Sequence, residues 1–228
     1  QLKAAGEIAT DDYGNVSAGP VEAIGNVLVV MTPKENGGIA TLDISNPTQP
    51  KRLASFTAPN SYIGMFHRHF VFMQGPLRAW DVLTNPSSIG SGTAPIGTLQ
   101  TGGSEYMSFQ DDLMYLGHVR GEIGGKPGAS KINVADPKKM SVVGRVWGRM
   151  DLNNKNDDQF TVGIGNVLVV ADDQAPDHGW FTAVRQAAPD TAAPIVDTII
   201  PKSGKSVAVT SRIGITFSDN IELATVST

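Results

Sequence analysis

Polar and apolar residues alternate along this chain in short runs, and the runs stop at glycine, proline, asparagine or aspartate. VEAI, VLVVM, IATLDIS and RLASF follow one another between residues 21 and 56, and YIGMF, HFVFM, LRAWDVL and PIGTLQ between residues 62 and 100. A period of two, carried by β-branched and aromatic residues between turn formers, predicts half-buried β-strands. Nowhere does an apolar pattern of period 3.6 persist for three turns, so no long helix is expected.

The runs themselves recur. GNVLVV stands at Gly25–Val30 and again at Gly165–Val170, 140 positions later. Between them lie two looser copies, which make Leu28, Phe70, Leu113 and Leu168 equivalent points at steps of 42, 43 and 55 residues. Each copy is preceded by a short run (VEAI, YIGMF, YMSF, FTVGI) and followed by a third (IATLDIS, LRAWDVL, SKINVAD, FTAVRQ). A proline then closes the unit, at Pro47, Pro86, Pro137 and Pro189. RLASF, PIGTLQ and VVGRVW supply a fourth run in the first three copies. Gly-Asn suits a two-residue hairpin turn between the first and second strands, because glycine takes the positive φ such a turn needs. Four short strands per unit of 40 to 50 residues predict an all-β protein, a β-propeller of four-stranded blades. The blades fall near residues 10–56, 57–101, 102–147 and 157–188.

TLDISNPTQPKRLASF at residues 41–56, with AWDVLTNP and INVADP, resembles the LVIVD-repeat β-propellers of bacterial surface and secreted proteins. That family carries an Asp-x-Ser-x-Pro phrase after the third strand. The resemblance covers residues 1–188 and implies a propeller within an extracellular multidomain protein, with no one chemistry attached. The fourth copy, AVRQAAP, departs from the phrase and lacks its acidic residue.

After Pro189 the period breaks. Residues 189–228 contain two alternating runs, IVDTIIP and RIGITFS, on either side of a Lys/Ser/Gly turn. They are similar to the opening of bacterial Ig-like domains of the S-layer (SbsA-like) type, although Ile200-Pro201 stands where that family has Ser-Pro. An Ig-like sandwich takes about 100 residues, so this segment is expected to be the start of a truncated one. QLKAAGEIA at residues 1–9 reads as an outermost strand without a blade before it. Either it completes the last blade and closes a four-bladed ring, or further blades precede it in a longer protein.

Composition narrows the function. A net charge of −4 argues against nucleic acid as the main partner, since phosphate contacts need a basic face. No apolar run approaches the 18 or so residues of a membrane span. The absence of cysteine excludes a disulfide framework and a thiol nucleophile.

Candidate chemistry is sparse. Asp157, Asp158, Asp172, Asp173 and Asp177 fall in loops on one face of the fourth blade, with Asp11 and Asp12 entering the first blade on the same face. Hard cations take six to eight oxygens from such loops, so the five aspartates of the fourth blade are the candidate calcium ligands. Lys155 stands where a regular Asp-x-Asn-x-Asp loop would place another ligand, and solvated turn formers are the competing reading. His67-Arg68-His69 has the i, i+2 spacing that puts two imidazoles on one strand face. Alignment puts His67-Arg68 on the hairpin turn, however, far from His118 and His178 in second-to-third loops. Glu22 and Glu105 are the charged residues of the channel-lining first strands, and Trp80, Trp147 and Trp180 read as packing between blades.

Two readings follow. The leading one is a non-enzymatic extracellular or cell-surface module, part of a larger multidomain bacterial protein. It binds a protein or glycan, further copies of itself or the rest of a longer chain, or acts as a structural spacer in an adhesion, surface-layer or filament scaffold. The alternative is a secreted hydrolase or lyase with its site at the channel mouth. No paired acid and base, phosphate loop or serine elbow is present in the sequence to favour an enzyme.

Overall fold

The structure is a computed structural model that describes residues 21–31, 38–57, 64–84, 86–87, 94–102, 104–123, 126–147, 160–164, 167–171, 181–185, 193–202 and 213–217. The protein is all-β. Three four-stranded sheets follow one another along the chain: β1 to β4 (Val21–Ile24, Val27–Met31, Gly38–Asp43, Lys51–Thr57), β5 to β8 (Gly64–His67, Phe70–Met73, Leu77–Asp81, Gly97–Leu99) and β9 to β12 (Ser104–Gln110, Leu113–Ile123, Lys126–Asn133, Ser141–Trp147). A three-stranded sheet comes next, β13 to β15 (Phe160–Ile164, Val167–Ala171, Phe181–Arg185), and β16 (Val196–Ile200) pairs with β17 (Gly214–Phe217). Within the first four sheets each strand lies beside its sequence neighbour, and the registered pairs are antiparallel. Among the described residues no helix is long and apolar enough to cross a membrane.

The registers correct the sequence alignment by one residue. Ile24 pairs with Val27, His67 with Phe70, Gln110 with Leu113 and Ile164 with Val167. The equivalent points are therefore Val27, Phe70, Leu113 and Val167, not Leu28 and Leu168, and the turn in the second sheet is Arg68-His69 rather than His67-Arg68. Turn geometry decides this. Gly25, Arg68 and Asp111 open their turns with φ of 59°, 56° and 51°. Glycine adopts that conformation freely, whereas arginine does so against a steric cost of about 1–2 kcal/mol.

A second device closes each of the first three sheets. The Asp43 carboxylate accepts the Ser45 N–H at 2.8 Å, Asp81 accepts Leu83 N–H at 3.0 Å, and the Asn133 amide oxygen accepts Ala135 N–H at 3.0 Å. These three residues pair with Val27, Phe70 and Leu113, one register position in each sheet. The next residue, Ile44, Val82 or Val134, is buried and donates its N–H back to the turn carbonyl of Asn26, His69 or Asp112. The acidic residue of the repeat is thus a backbone cap of the Asx type, ending the third strand. Asn133 holds the position in the third sheet, where Asp136 instead caps a 3-10 turn at Pro137–Lys139. Arg185 occupies the position in the fourth sheet, and arginine has no acceptor.

Ser45 and Lys51 hold the Asp43 carboxyl below its usual range: the Ser45 backbone N–H contributes most, then its hydroxyl, with Lys51 adding charge. A lowered folded-state pKa stabilises the fold above the unfolded value and loses that contribution as the pH falls through the folded one. Asp43→Ala is expected to lower stability by about 0.5–1 kcal/mol at neutral pH, the effect being small because the group is exposed. The gap to wild type should narrow as the pH drops below about 4. Urea unfolding at several pH values measures it, and a gap that widens toward acid would remove this role.

The chain divides into two compact units, Gln1–Thr98 with Thr198–Thr216, and Leu99–Asp197 with Phe217–Thr228. In the first unit, Ile24, Val29, Met31 and Ile39 of the first sheet pack with Phe66, Val71, Met73 and Trp80 of the second, and Ile200 packs against this core. The Thr41 hydroxyl, fully buried, donates to the Pro86 carbonyl at 2.6 Å and ties the first sheet to the end of the second. In the second unit, Tyr115 and Ala129 of the third sheet pack with Leu168 and Val170 of the fourth. There the Thr161 hydroxyl donates to the Tyr115 carbonyl at 2.8 Å, and Phe160 stacks on Tyr106 at 4.1 Å.

Candidate functional site

The first unit carries a cleft of about 290 Å³ lined by His69, Leu83, Thr84, Thr198 and Lys202. Its walls come from two distant stretches of sequence. His69 is there because the second hairpin turns at Arg68-His69, and Leu83 and Thr84 because the Asp81 cap folds the chain after β7. Asp81 Oδ1 accepts from both N–H groups, at 3.0 Å from Leu83 and 2.9 Å from Thr84. Residues 198–202 close the other side. Ile200 seats itself on the first hairpin turn, where a Cβ on Gly25 would lie 3.0 Å from Ile200 Cγ2. Gly214 approaches the same turn, its Cβ position 3.0 Å from the Gly25 amide nitrogen.

His69 stands at the centre of this arrangement. Its Nδ1 lies 3.3 Å from the Thr198 hydroxyl, its Nε2 lies 3.9 Å from Asp81 Oδ2, and its ring packs against Phe70 at 3.9 Å between centroids. An acid, an imidazole and a hydroxyl in line resemble a nucleophile relay only superficially. The 3.9 Å gap exceeds hydrogen-bond reach, and Asp81 already serves as the double cap. The geometry is that of a tether between the second sheet and residues 198–200.

The other sequence candidates scatter. Asp157, Asp158, Asp172, Asp173 and Asp177 lie outside the described residues, as do Asp11, Asp12, Lys155, His178 and Trp180. His67 and His69 do not share a strand face, because the chain reverses between them; this removes the premise of the imidazole pair. His118 is a correction too. It sits on β10, not in a loop, fully buried with Nε2 3.0 Å from Ser130 Oγ. The strand runs on to Ile123, and no signal in the sequence marks that extension. Among the described residues no group of three or more His, Cys, Asp or Glu side chains gathers as a metal site.

Glu22 lies on β1, accessible to solvent, yet desolvation by the protein around it pushes its carboxyl above the usual range. Accessibility limits the size of that shift. Glu105 lies on β9 and its side chain is outside the described residues, as is that of Trp147 on β12. Trp80 is buried and tilted against Phe56 at 5.3 Å, a packing residue of the first unit. Sequence reasoning missed Thr198 and Lys202 entirely, since nothing local to them points to a hairpin turn that lies 129 residues before Thr198.

No protein-family model matches this chain, and none of the curated proteins does. Among solved structures, it is similar to the crystal structure of the N-terminal domain of Nup159, at 10% identity and a TM-score of 0.49. That likeness covers 74% of this chain and 44% of the other, so the chain spans less than half the length of the structure it matches.

Proposed function

We propose that this protein is a β-propeller module that binds a protein or glycan, or spaces other domains, at a bacterial cell surface or outside the cell. The sheets are its blades, residues 1–188 the propeller, and residues 189–228 the first strands of an Ig-like domain. QLKAAGEIA at residues 1–9 lies outside the described residues and keeps both readings given to it above: it completes the last blade, or further blades precede it in a longer protein. The calcium reading of the acidic loops is kept as a sequence-based proposal, and no part of the binding role depends on it.

One observation carries this reading. The polar residues that recur from sheet to sheet hold the backbone: Asp43, Asp81 and Asn133 cap the third strands. A framework whose repeated polar groups are spent on caps leaves its loops free to differ, and binding surfaces are built on such loops. Shared fold licenses no chemistry of its own.

Immobilised chain presented to a glycan array and to isolated bacterial surface proteins is expected to give saturable binding, with the ligand recovered chemically unchanged. Turnover of glycosidic, ester or peptide substrates that copurifies with the chain would replace this reading with the enzyme.

A further inference from the structure

We propose that the outer strand of the third sheet, β12 (Ser141–Trp147), takes up an extended acidic peptide as a further strand. β12 ends its sheet: it pairs with β11, and among the described residues no strand lies beyond it. Successive residues of a strand point to opposite faces, so three exposed in a row leave both faces open. Ser141, Val142 and Val143 are such a row, the two valines 36% and 53% exposed. The first sheet shows that this is no rule of the repeat. Its outer strand, β4, follows the same register, with Lys51 opposite Asp43 as Ser141 is opposite Asn133, and with an extra residue at Leu53 where β12 has Val143. There Leu53, Ala54, Ser55 and Phe56 are all half-buried. One backbone frame thus carries a covered outer strand in the first sheet and an open, apolar one in the third.

Charge decides the occupant. An open strand edge invites any extended chain, a second copy among them. Here Lys138 and Lys139 precede the strand and Arg145 lies within it, all exposed, in a chain whose net charge is −4. Asp136 is the acid among residues 135–147, and its carboxylate accepts the Lys138 N–H at 3.0 Å as a turn cap. The Lys139 ammonium stands 3.8 Å from it and is 82% exposed, a pairing that water weakens. Two copies of β12 laid edge to edge would bring the three cations of each together, which like charges oppose. An acidic strand meets the opposite balance. Its backbone would supply the strand-to-strand hydrogen bonds, and its carboxylates would reach the Arg145 guanidinium and the two ammonium groups. Its β-branched residues would cover Val142 and Val143. All these residues lie in the third sheet or the turn before β12, so peptide capture holds or fails independently of a propeller ring and of glycan binding by the loops.

The probe is a blocked peptide of about eight residues, the length of a strand, alternating threonine and valine between a pair of glutamates at each end. Either direction then presents acids to both ends of β12. One control carries lysine for glutamate, and another carries proline for a central valine. Each is titrated into the 228-residue chain and followed by the backbone amide resonances of residues 142–146 and their hydrogen exchange. The acidic peptide is expected to shift these resonances saturably, with a Kd on the order of 100 μM, and to slow exchange of the β12 amides that face away from β11. The proline peptide has the same charge and should bind about tenfold more weakly, because proline lacks the N–H that a ladder needs. Arg145→Glu, at an exposed position, should weaken the acidic peptide about tenfold and strengthen the lysine one. Absence of a saturable shift, equal binding of the proline peptide, or an affinity that Arg145→Glu leaves unchanged overturns the addition of an acidic strand. Exchange protection of β12 that rises with the concentration of the chain alone overturns it too, in favour of a second copy.

Discussion

Gly25→Val is expected to lower stability by about 2–5 kcal/mol and to release residues 198–200 and 214–216 from the first hairpin turn. Two effects add. The residue has a φ of 59°, a conformation that a β-branched side chain resists by about 1–2 kcal/mol. Its new Cβ would also lie 3.0 Å from Ile200 Cγ2, and Ile200 packs against the core of the first unit. Overpacking of this kind costs about 1–3 kcal/mol. Arg68 and Asp111 take nearly the same φ at the equivalent turns of the next two sheets, so the backbone term by itself is tolerable. The contact with Ile200 is what sets Gly25 apart. Gly25→Asn separates the two terms, because asparagine accepts positive φ but still carries a Cβ. Urea unfolding of both variants, with amide exchange at Ile200 and Thr216, is the measurement. If Gly25→Asn is neutral in both, residues 198–200 do not rest on the turn.

The second large effect is expected at Trp80, where alanine should cost about 3–5 kcal/mol. The side chain is 2% exposed and lies within the core that joins the first and second sheets, with Phe56 tilted at 53° to it. Truncation leaves a cavity between two sheets whose facing residues, such as Met31 and Val71, are held by their own strands. Phenylalanine should be far milder. Trp80 Nε1 is buried without an acceptor among the described residues, so Trp80→Phe removes an unsatisfied donor along with the volume it loses. The expected order in thermal melts is wild type close to Trp80→Phe and well above Trp80→Ala. A Trp80→Phe variant as unstable as Trp80→Ala would mean that the indole N–H has a partner.

Much of this architecture was legible in residue order. Strands β1 to β7 fall within or beside the alternating runs between VEAI and LRAWDVL, because a strand exposes alternate residues to opposite faces and burial of one face writes itself as a period of two. Among the described residues no long helix forms, in keeping with the absence of a helical period. The acidic residue after the third run was visible as a recurring letter, but its work as a strand cap was not. That work is a hydrogen bond, and the sequence shows only that aspartate and asparagine are able to make it.

What residue order determined by itself was the local grammar: which stretches form strands, and that the unit repeats. Each of these depends on neighbours within a few positions. Tertiary structure alone decided the register, moving the equivalent points to Val27 and Val167 and the second turn to Arg68-His69. A one-residue slip changes neither composition nor period, and only the hydrogen bonds and positive φ of the folded turn distinguish the two settings. It also decided that His118 is buried beside Ser130, and that Thr198 and Lys202 line one cleft with His69 and Thr84. Contacts between residues so far apart in the chain are set by how sheets and segments pack, a property of volumes and surfaces that no local run of letters encodes.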